Sequence, residues 1–270
     1  MPITLKPPPR LPAARILLFG KEGTGKTNSV LSIARRIPTA HFYVVDTDYS
    51  ASYDLMLATE FEDVAERGNV TTYVTGPYEW EDQIAAVREI TEEITRDDWL
   101  IVDSMSPTWS AVQGWFTEQV HANTIEDYLL EIRKKIAEKG NKKSSLEAFD
   151  GWLDWSVINT VYDRFYRLLL RQPGNLIITA EAQPFGDKET KATRDTYGHF
   201  GVKPGGQKRL GFLTSTVLLT TKGRSGEYAL STVKDRGREE VEDMDLEDFG
   251  RDYLMRIAGW KPTKYEEGQQ

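Results

Sequence analysis

Seven apolar runs of strand length constrain this chain most: "RILLF" (15–19), "HFYVV" (41–45), "VTTYV" (70–74), "WLIV" (99–102), "NLIIT" (175–179), "STVLLT" (215–220) and "EYALSTV" (227–233). The first four are short and nearly continuous rather than alternating, the pattern of strands covered on both faces. A sheet covered on both faces needs helices above and below it. Helical patterns do lie between the runs. "KTNSVLSIARRI" follows the first, and "EWEDQIAAVREITEEITRDD" repeats apolar residues at i, i+3, i+4 spacing. "DGWLDWSVINTVYDRFYRLLLRQ" places Trp155, Ile158, Val161, Tyr162, Phe165 and Leu169 on one helical face. The order predicts an α/β fold with a mainly parallel central sheet flanked by helices. "KGRSG" between the last two runs predicts an antiparallel β-hairpin at the C-terminal end of that sheet.

The 270 residues suffice for one large domain or two small ones, and no internal repeat or low-complexity linker divides them. The pattern suggests an extended N-terminal arm over 1–14, a core over 15–238 with a helical insertion region at 105–172, and an acidic tail over 239–270. The formal charge is −8, of which residues 239–270, with ten acidic and four basic side chains, carry −6. Such a run is either a solvated surface helix or a tail that tunes binding to nucleic acid or a partner. An acidic total argues against constitutive, salt-driven binding to DNA but leaves room for a local basic groove. There is no cysteine, which excludes disulfides and thiolate metal sites. No run has signal-peptide or membrane-span character, so the expected location is the cytoplasm, without membrane association.

"GKEGTGKT" after the first strand matches G-x-x-x-x-G-K-[ST] at Gly20, Gly25, Lys26 and Thr27, with a helix following. Strand, glycine loop and helix are the arrangement that a phosphate cradle needs. Glycines let successive N–H groups turn inward, and the helix adds its positive end. ATP with Mg²⁺ is therefore the expected cofactor, gripped by Gly20, Lys21, Glu22, Gly23, Thr24, Gly25, Lys26, Thr27 and Asn28. Lys26 would reach the β- and γ-phosphates and Thr27 would bind the metal. The second metal-side carboxylate is expected at Asp103, which ends "WLIVDS". "YVVDTDYS" brings Asp46 and Asp48, two apart and so on one side of a strand. They form either a turn with side-chain hydrogen bonds or a site where one carboxylate orients the attacking water.

Residues 185–209 lack strand or helix periodicity and are long for a loop. They mix Lys188, Lys191, Arg194, Lys203, Lys208 and Arg209 with Tyr197, His199 and Phe200. Cations for phosphates and rings for bases are what single-stranded nucleic acid asks for, and a solvated loop is the plainer alternative.

The P-loop, the acidic residue after the second strand and "LIVDS" resemble the core of RecA/RadA recombinases, and the compact chain looks most like the short RecA-like ATPases of bacteriophages, some of which anneal single strands. The resemblance implies a RecA-type P-loop ATPase. It implies Asp48 at the position of the catalytic glutamate, one methylene shorter. It implies that Glu181 or Gln183, in "TAEAQPF", senses the γ-phosphate, and that 185–209 is the DNA-binding loop. It places Lys234 and Arg236 of "VKDRGR", with Arg238 in reserve, on the cations that reach a neighbour's γ-phosphate. The implied function is an ATP-dependent, single-stranded-DNA-binding recombinase or annealing protein, hydrolysing ATP slowly and with stimulation by DNA. Its partners would be DNA, further copies of itself in a ring or filament, and phage or host replication and recombination proteins. For a phage-encoded chain the location would be the host cytoplasm. A nucleotide switch or assembly ATPase, and a small-molecule or nucleotide kinase, stand as alternatives.

Overall fold

The computed structural model describes residues 13–57, 59–138, 153–187, 189–236 and 238–260. In chain order the elements are β1 (Arg15–Gly20), α1 (Lys26–Arg36), β2 (Phe42–Asp46), α2 (Ser50–Leu57), α3 (Glu62–Arg67), β3 (Val70–Val74) and α4 (Trp80–Glu93). They continue with β4 (Trp99–Asp103), α5 (Met105–His121), α6 (Ile125–Glu138), α7 (Leu153–Arg171), β5 (Asn175–Pro184) and α8 (Lys191–Tyr197). Then come β6 (Val202–Pro204), α9 (Leu210–Leu213), β7 (Thr216–Lys222), β8 (Tyr228–Asp235) and β9 (Met244–Asp245). The sheet runs β3-β2-β4-β5-β1-β7-β8-β9, with β6 pairing with β5. From β3 to β7 every pairing is parallel. β7–β8 and β8–β9 are antiparallel, so the C-terminal hairpin extends the sheet and a two-residue strand closes its edge. This is a mostly parallel α/β fold with helices on both faces of the sheet and an antiparallel C-terminal extension.

The continuous apolar runs have a simple cause. Along each central strand, alternate residues enter two separate cores. Leu17, Phe19, Val45, Leu100, Val102, Leu176 and Ile178 face α4, α5 and α7 through Trp80, Val87, Phe116, Ile158, Tyr162 and Phe165. Ile16, Leu18, Phe42, Val44, Ile101 and Ile177 face α1 and α3 through Val30, Leu31, Ile33 and Val64. β3 departs from the expectation of two-sided cover. As the edge strand it is only half-buried, and Thr71 and Val74 are exposed.

Two segments differ from the sequence reading. Residues 185–209 are not structureless. Thr190 caps α8 by accepting a hydrogen bond from the Thr193 N–H (3.2 Å), a short 3-10 turn follows at Gly198–Phe200, and β6 pairs back onto β5. The acidic segment after 238 is not only a solvated face either. Most of its described acids face outward, but Asp252 is buried, and Phe249, Tyr253 and Leu254 lie in the core beneath α1, on and beside a π-helical segment at Gly250–Met255. Tyr253 also donates a hydrogen bond to Asp235 at the end of β8. Residues 1–12, within the N-terminal arm, and the basic 139–152 lie outside the described residues.

Phe249→Ala is therefore expected to cost about 3–5 kcal/mol of stability, the usual price of emptying a buried aromatic site. Urea denaturation of the full chain checks this. A change under about 0.5 kcal/mol, as at an ordinary surface position, would show the C-terminal segment to be detachable.

Candidate nucleotide site

The glycine loop leaves the C-terminal end of β1 at the middle of the sheet. Gly20 has no room for a side chain, because a Cβ there would lie 2.3 Å from Thr220 Oγ1 and 2.4 Å from Thr24 Oγ1. Gly23 and Gly25 take positive φ, 70° and 78°, a region that glycine enters without steric cost. Gly25 forms the N-cap of α1 and no side chain caps the helix. The first turn has no acidic residue either. The amide donors and positive end of α1 are thus left for an anion. Lys26 Nζ donates to the carbonyls of Gly20 (3.1 Å) and Lys21 (3.0 Å). Burial lowers its pKa, and Asp103, Glu181, Asp48 and Glu22 oppose that by favouring the ammonium.

Asp103 ends β4 fully buried, and three hydroxyls converge on it. Thr27 donates to Oδ2 at 2.7 Å, Ser50 donates to the same oxygen at 3.3 Å, and Thr179 donates to Oδ1. Burial pushes the Asp103 carboxyl up to about 6; Asp48 and Asp46 push the same way, while the Thr179 and Thr27 hydrogen bonds pull down.

Asp46 and Asp48 do not share a side as expected, because β2 ends at Asp46. Asp46 is buried and aligned with Asp103 in the neighbouring strand, and it accepts a hydrogen bond from the Ser52 N–H (2.8 Å) at the start of α2. Its other oxygen is buried with no hydrogen-bond partner among the described residues. Asp48 is exposed and accepts from the Ser50 hydroxyl (2.5 Å) and amide (3.1 Å). Adjacent buried carboxylates and hydroxyls are hard oxygen donors, the kind that Mg²⁺ takes together with water and phosphate. The residues present therefore fit a Mg²⁺-nucleotide.

Glu181 pairs with Gly20 across β5 and β1, at the mouth of the loop, and its backbone N–H donates to Ser106 Oγ (3.0 Å). Gln183 lies further along β5, where its side chain packs against Gly205 and its backbone pairs with Lys203. Of the two sensor candidates, Glu181 is the one beside the phosphate loop.

A family model described as an AAA domain matches residues 13–211. The chain belongs to this AAA domain family. No curated protein matches it. Among solved structures, one titled as the crystal structure of the RadB recombinase is similar, with a TM-score of 0.47 and 14% identity over 84% of this chain and 85% of that one.

The remaining expected site residues of this AAA domain lie away from its P-loop. Lys234 Nζ donates to the carbonyls of Gly211 (3.1 Å), Phe212 (3.2 Å) and Thr214. Arg238 pairs with Asp235 at 2.9 Å. Arg236 is exposed and makes no hydrogen bond or ion pair among the described residues. Thr216 pairs with Asp235 while Thr220 pairs with Gly20. Four residues of β7, about 13 Å at 3.3 Å per residue, therefore separate Arg236 from its own phosphate loop.

The candidate DNA segment is largely tied to its own chain. Lys203 pairs with Glu189 (2.9 Å), Arg209 with Asp163 (2.9 Å), and His199 with Glu242 (2.7 Å). Arg194 donates to the Gly186 carbonyl (3.1 Å) and lies over Phe185. Tyr197 meets Phe19 edge-on, and Phe200 packs against the same core. Lys191 and Lys208 stay exposed, and Lys188 lies outside the described residues.

Ser50, Thr179 and Ser106 were not among the expected site residues. Hydroxyls carry no periodic signal, although "DTDYS" does place Ser50 beside Asp48. The Asn28 amide, expected on the nucleotide, donates to Glu60. It borders a cavity of about 300 Å³ shared by Thr24, Gly25 and Tyr228.

Removing an orienting group next to a metal ligand usually costs 10–100-fold in metal affinity or activity. Ser50→Ala is therefore expected to lower Mg²⁺-dependent nucleotide binding or turnover by about tenfold. Fluorescent-nucleotide titration with and without Mg²⁺ checks it, and the metal-free affinity should be unchanged. A second expectation follows from Asp103. With its carboxyl at about 6, a proton competes with the metal below that pH. Mg²⁺-dependent binding should fall as pH drops from 7 to 5, and Asp103→Asn should flatten that dependence.

Proposed function

We propose that this protein is an ATPase that acts as an oligomer, its active site completed in trans by Arg236, and that single-stranded DNA is the polymer it engages. The observation that carries the reading is the split of the machinery. Lys26, Thr27, Asp48, Asp103 and Glu181 gather at one end of the sheet, while the unpaired Arg236 sits at the other. An exposed arginine about 13 Å along the sheet from its own phosphate loop, with no partner among the described residues, fits a cation delivered to a neighbour.

In this reading the P-loop amides and Lys26 hold the phosphates. Thr27 and Asp103 hold Mg²⁺, which offsets phosphate charge when bound. Ser50 and Thr179 orient Asp103, and Asp48 accepts the proton of the attacking water. Glu181 senses the γ-phosphate and passes its state along β5 to α8 and β6, which grow from that strand's end. The cavity beside α1 takes the nucleoside. Lys191 and Lys208 make the first DNA phosphate contacts, and Arg194, Lys203 and Arg209 follow when their internal pairs exchange for phosphates. A recombinase or strand-annealing role is the form of this function that the RecA-like resemblance supports.

A second reading, a nucleotide switch or assembly ATPase without DNA chemistry, is favoured by one observation. The rings Tyr197 and Phe200 are packed inward rather than free to stack on bases.

Hydrolysis measured with and without single-stranded DNA, over a range of salt, separates the two. The proposal expects DNA to raise the rate and salt to cancel that rise, with Lys191→Glu and Lys208→Glu together removing most of it. A rate indifferent to DNA favours the switch. In either case Arg236→Ala should lower turnover by about a thousandfold, the lower end for an arginine finger, while nucleotide binding stays intact. A variant with unchanged turnover would remove the trans site.

A further inference from the structure

α2 carries an apolar face that nothing in the fold covers. Tyr53, Met56 and Leu57 recur at i, i+3 and i+4 of α2, so they lie on one side, and Tyr49 immediately precedes the helix, its carbonyl accepting from the Tyr53 N–H (3.0 Å). All four are exposed, Met56 to 82%. Val74 and Tyr78, also exposed, extend the patch at the end of the edge strand β3, and Tyr49 lies against the same turn at Gly76. A monomeric soluble protein seldom displays such a run of large side chains without a partner. The rim of the patch is acidic. Asp48 and Glu60 are exposed, and the Asp54 carboxyl is pushed up by burial and by Glu60 and Asp46. Phosphates would be repelled here, so the rings are not a platform for nucleic acid.

The opposite end of the sheet offers the complement. A cavity of about 630 Å³ is lined by Tyr197, Phe212 and Val233 together with Lys234 and Arg236. Phe212 at its edge is 72% exposed. One pole is therefore apolar with carboxylates and the other apolar with cations. The acidic pole also borders the nucleotide, since Ser50 at the head of α2 bonds Asp48 and Asp103. Any neighbour that brings Arg236 to the phosphates must cover this rim.

We propose that the Tyr53–Met56–Leu57 face of α2, with Tyr49 just before the helix, is the docking surface for the Phe212 and Arg236 end of a second copy of this chain. The surface rests on the trans reading above. Because the two poles differ, the contact is head-to-tail and each copy leaves one pole open for the next.

The absence of cysteine makes a direct test available. Met56→Cys and Phe212→Cys are made as separate full-length variants, each at an exposed side chain, with Tyr53→Cys as a second probe of the same face. They are oxidised alone and as mixtures, with Mg²⁺ and a non-hydrolysable ATP analogue. The expected result is a disulfide-linked dimer when a variant of the α2 face is mixed with Phe212→Cys, and none when either is alone, since a disulfide needs Cα atoms within about 7 Å. Self-linking of Met56→Cys would indicate two-fold packing and overturn the proposal. Sedimentation of the unmodified protein with the same nucleotide separates the remaining outcomes. Assembly without the mixed cross-link overturns this surface and leaves the trans reading standing. Absence of assembly at every protein concentration overturns the trans reading, and this surface with it. Protection of Met56→Cys from thiol labelling by single-stranded DNA, without assembly, assigns the face to nucleic acid and overturns the proposal.

Discussion

The hydrogen bond from the Thr27 hydroxyl to the buried Asp103 carboxylate, 2.7 Å long, ties the site together. It joins the head of α1 to the end of β4, two elements that sequence keeps 76 residues apart. Thr179 from β5 and Ser50 from α2 reach the same carboxylate. β5 lies between β1 and β4 in the sheet, so Thr179 is the side chain in position to bridge them. A carboxylate held this deep, with Asp46 aligned beside it, is poorly tolerated as a bare anion, and its raised pKa records that cost. A divalent cation resolves the crowding. In the proposed reading, phosphate binding at α1 and metal binding at β4 would be one event.

The same sheet gives the molecule its polarity. All strands from β3 to β7 run one way, so their C-terminal ends gather the phosphate loop, Asp46, Asp103 and Glu181. β8 runs back, and it carries Lys234 and the residues after it to the other end. There Lys234 is used to cap the carbonyls around α9 and Arg238 to hold Asp235, which leaves Arg236 as the cation of this stretch with no internal duty among the described residues. A fold with a candidate nucleotide site at one end and a spare arginine at the other is suited to assembly in a row. β5 adds a second route of communication. It begins in the core, passes Gly20 at Glu181, and ends in the hairpin with β6 from which α8 projects.

Much of this was legible in the chain. The central strands read clearly because both of their faces are buried, which leaves nearly continuous apolar runs broken by polar residues chiefly at their ends. The glycine loop read clearly because Gly20 has no room for a Cβ and Gly23 and Gly25 sit at positive φ, where glycine costs least. What escaped has equally physical reasons. β3 looked like its neighbours, but edge position, a property of topology, decided its exposure. α8 is seven residues long, shows no period of its own, and is fastened by a Thr190 cap and by Tyr197 against the core. The acids after 238 masked the helical spacing of Leu246, Phe249, Tyr253 and Leu254, which marks a buried face. Asp46 and Asp48 were separated by a strand ending, which spacing alone does not reveal. Ser50 and Thr179 became visible only when three strands and two helices met at Asp103.

The central claim is that one active site draws on two chains. Mixing two inactive variants tests it most directly. Lys26→Ala keeps Arg236 but loses the phosphate grip, and Arg236→Ala keeps the grip but loses the delivered cation. Each alone should be nearly without ATPase activity. Mixed in equal amounts, they should recover a substantial part of the wild-type rate, because the Arg236→Ala chain can bind nucleotide and receive its arginine from the Lys26→Ala chain. A mixture no more active than its components, under conditions where the two chains are shown to co-assemble, would contradict the account.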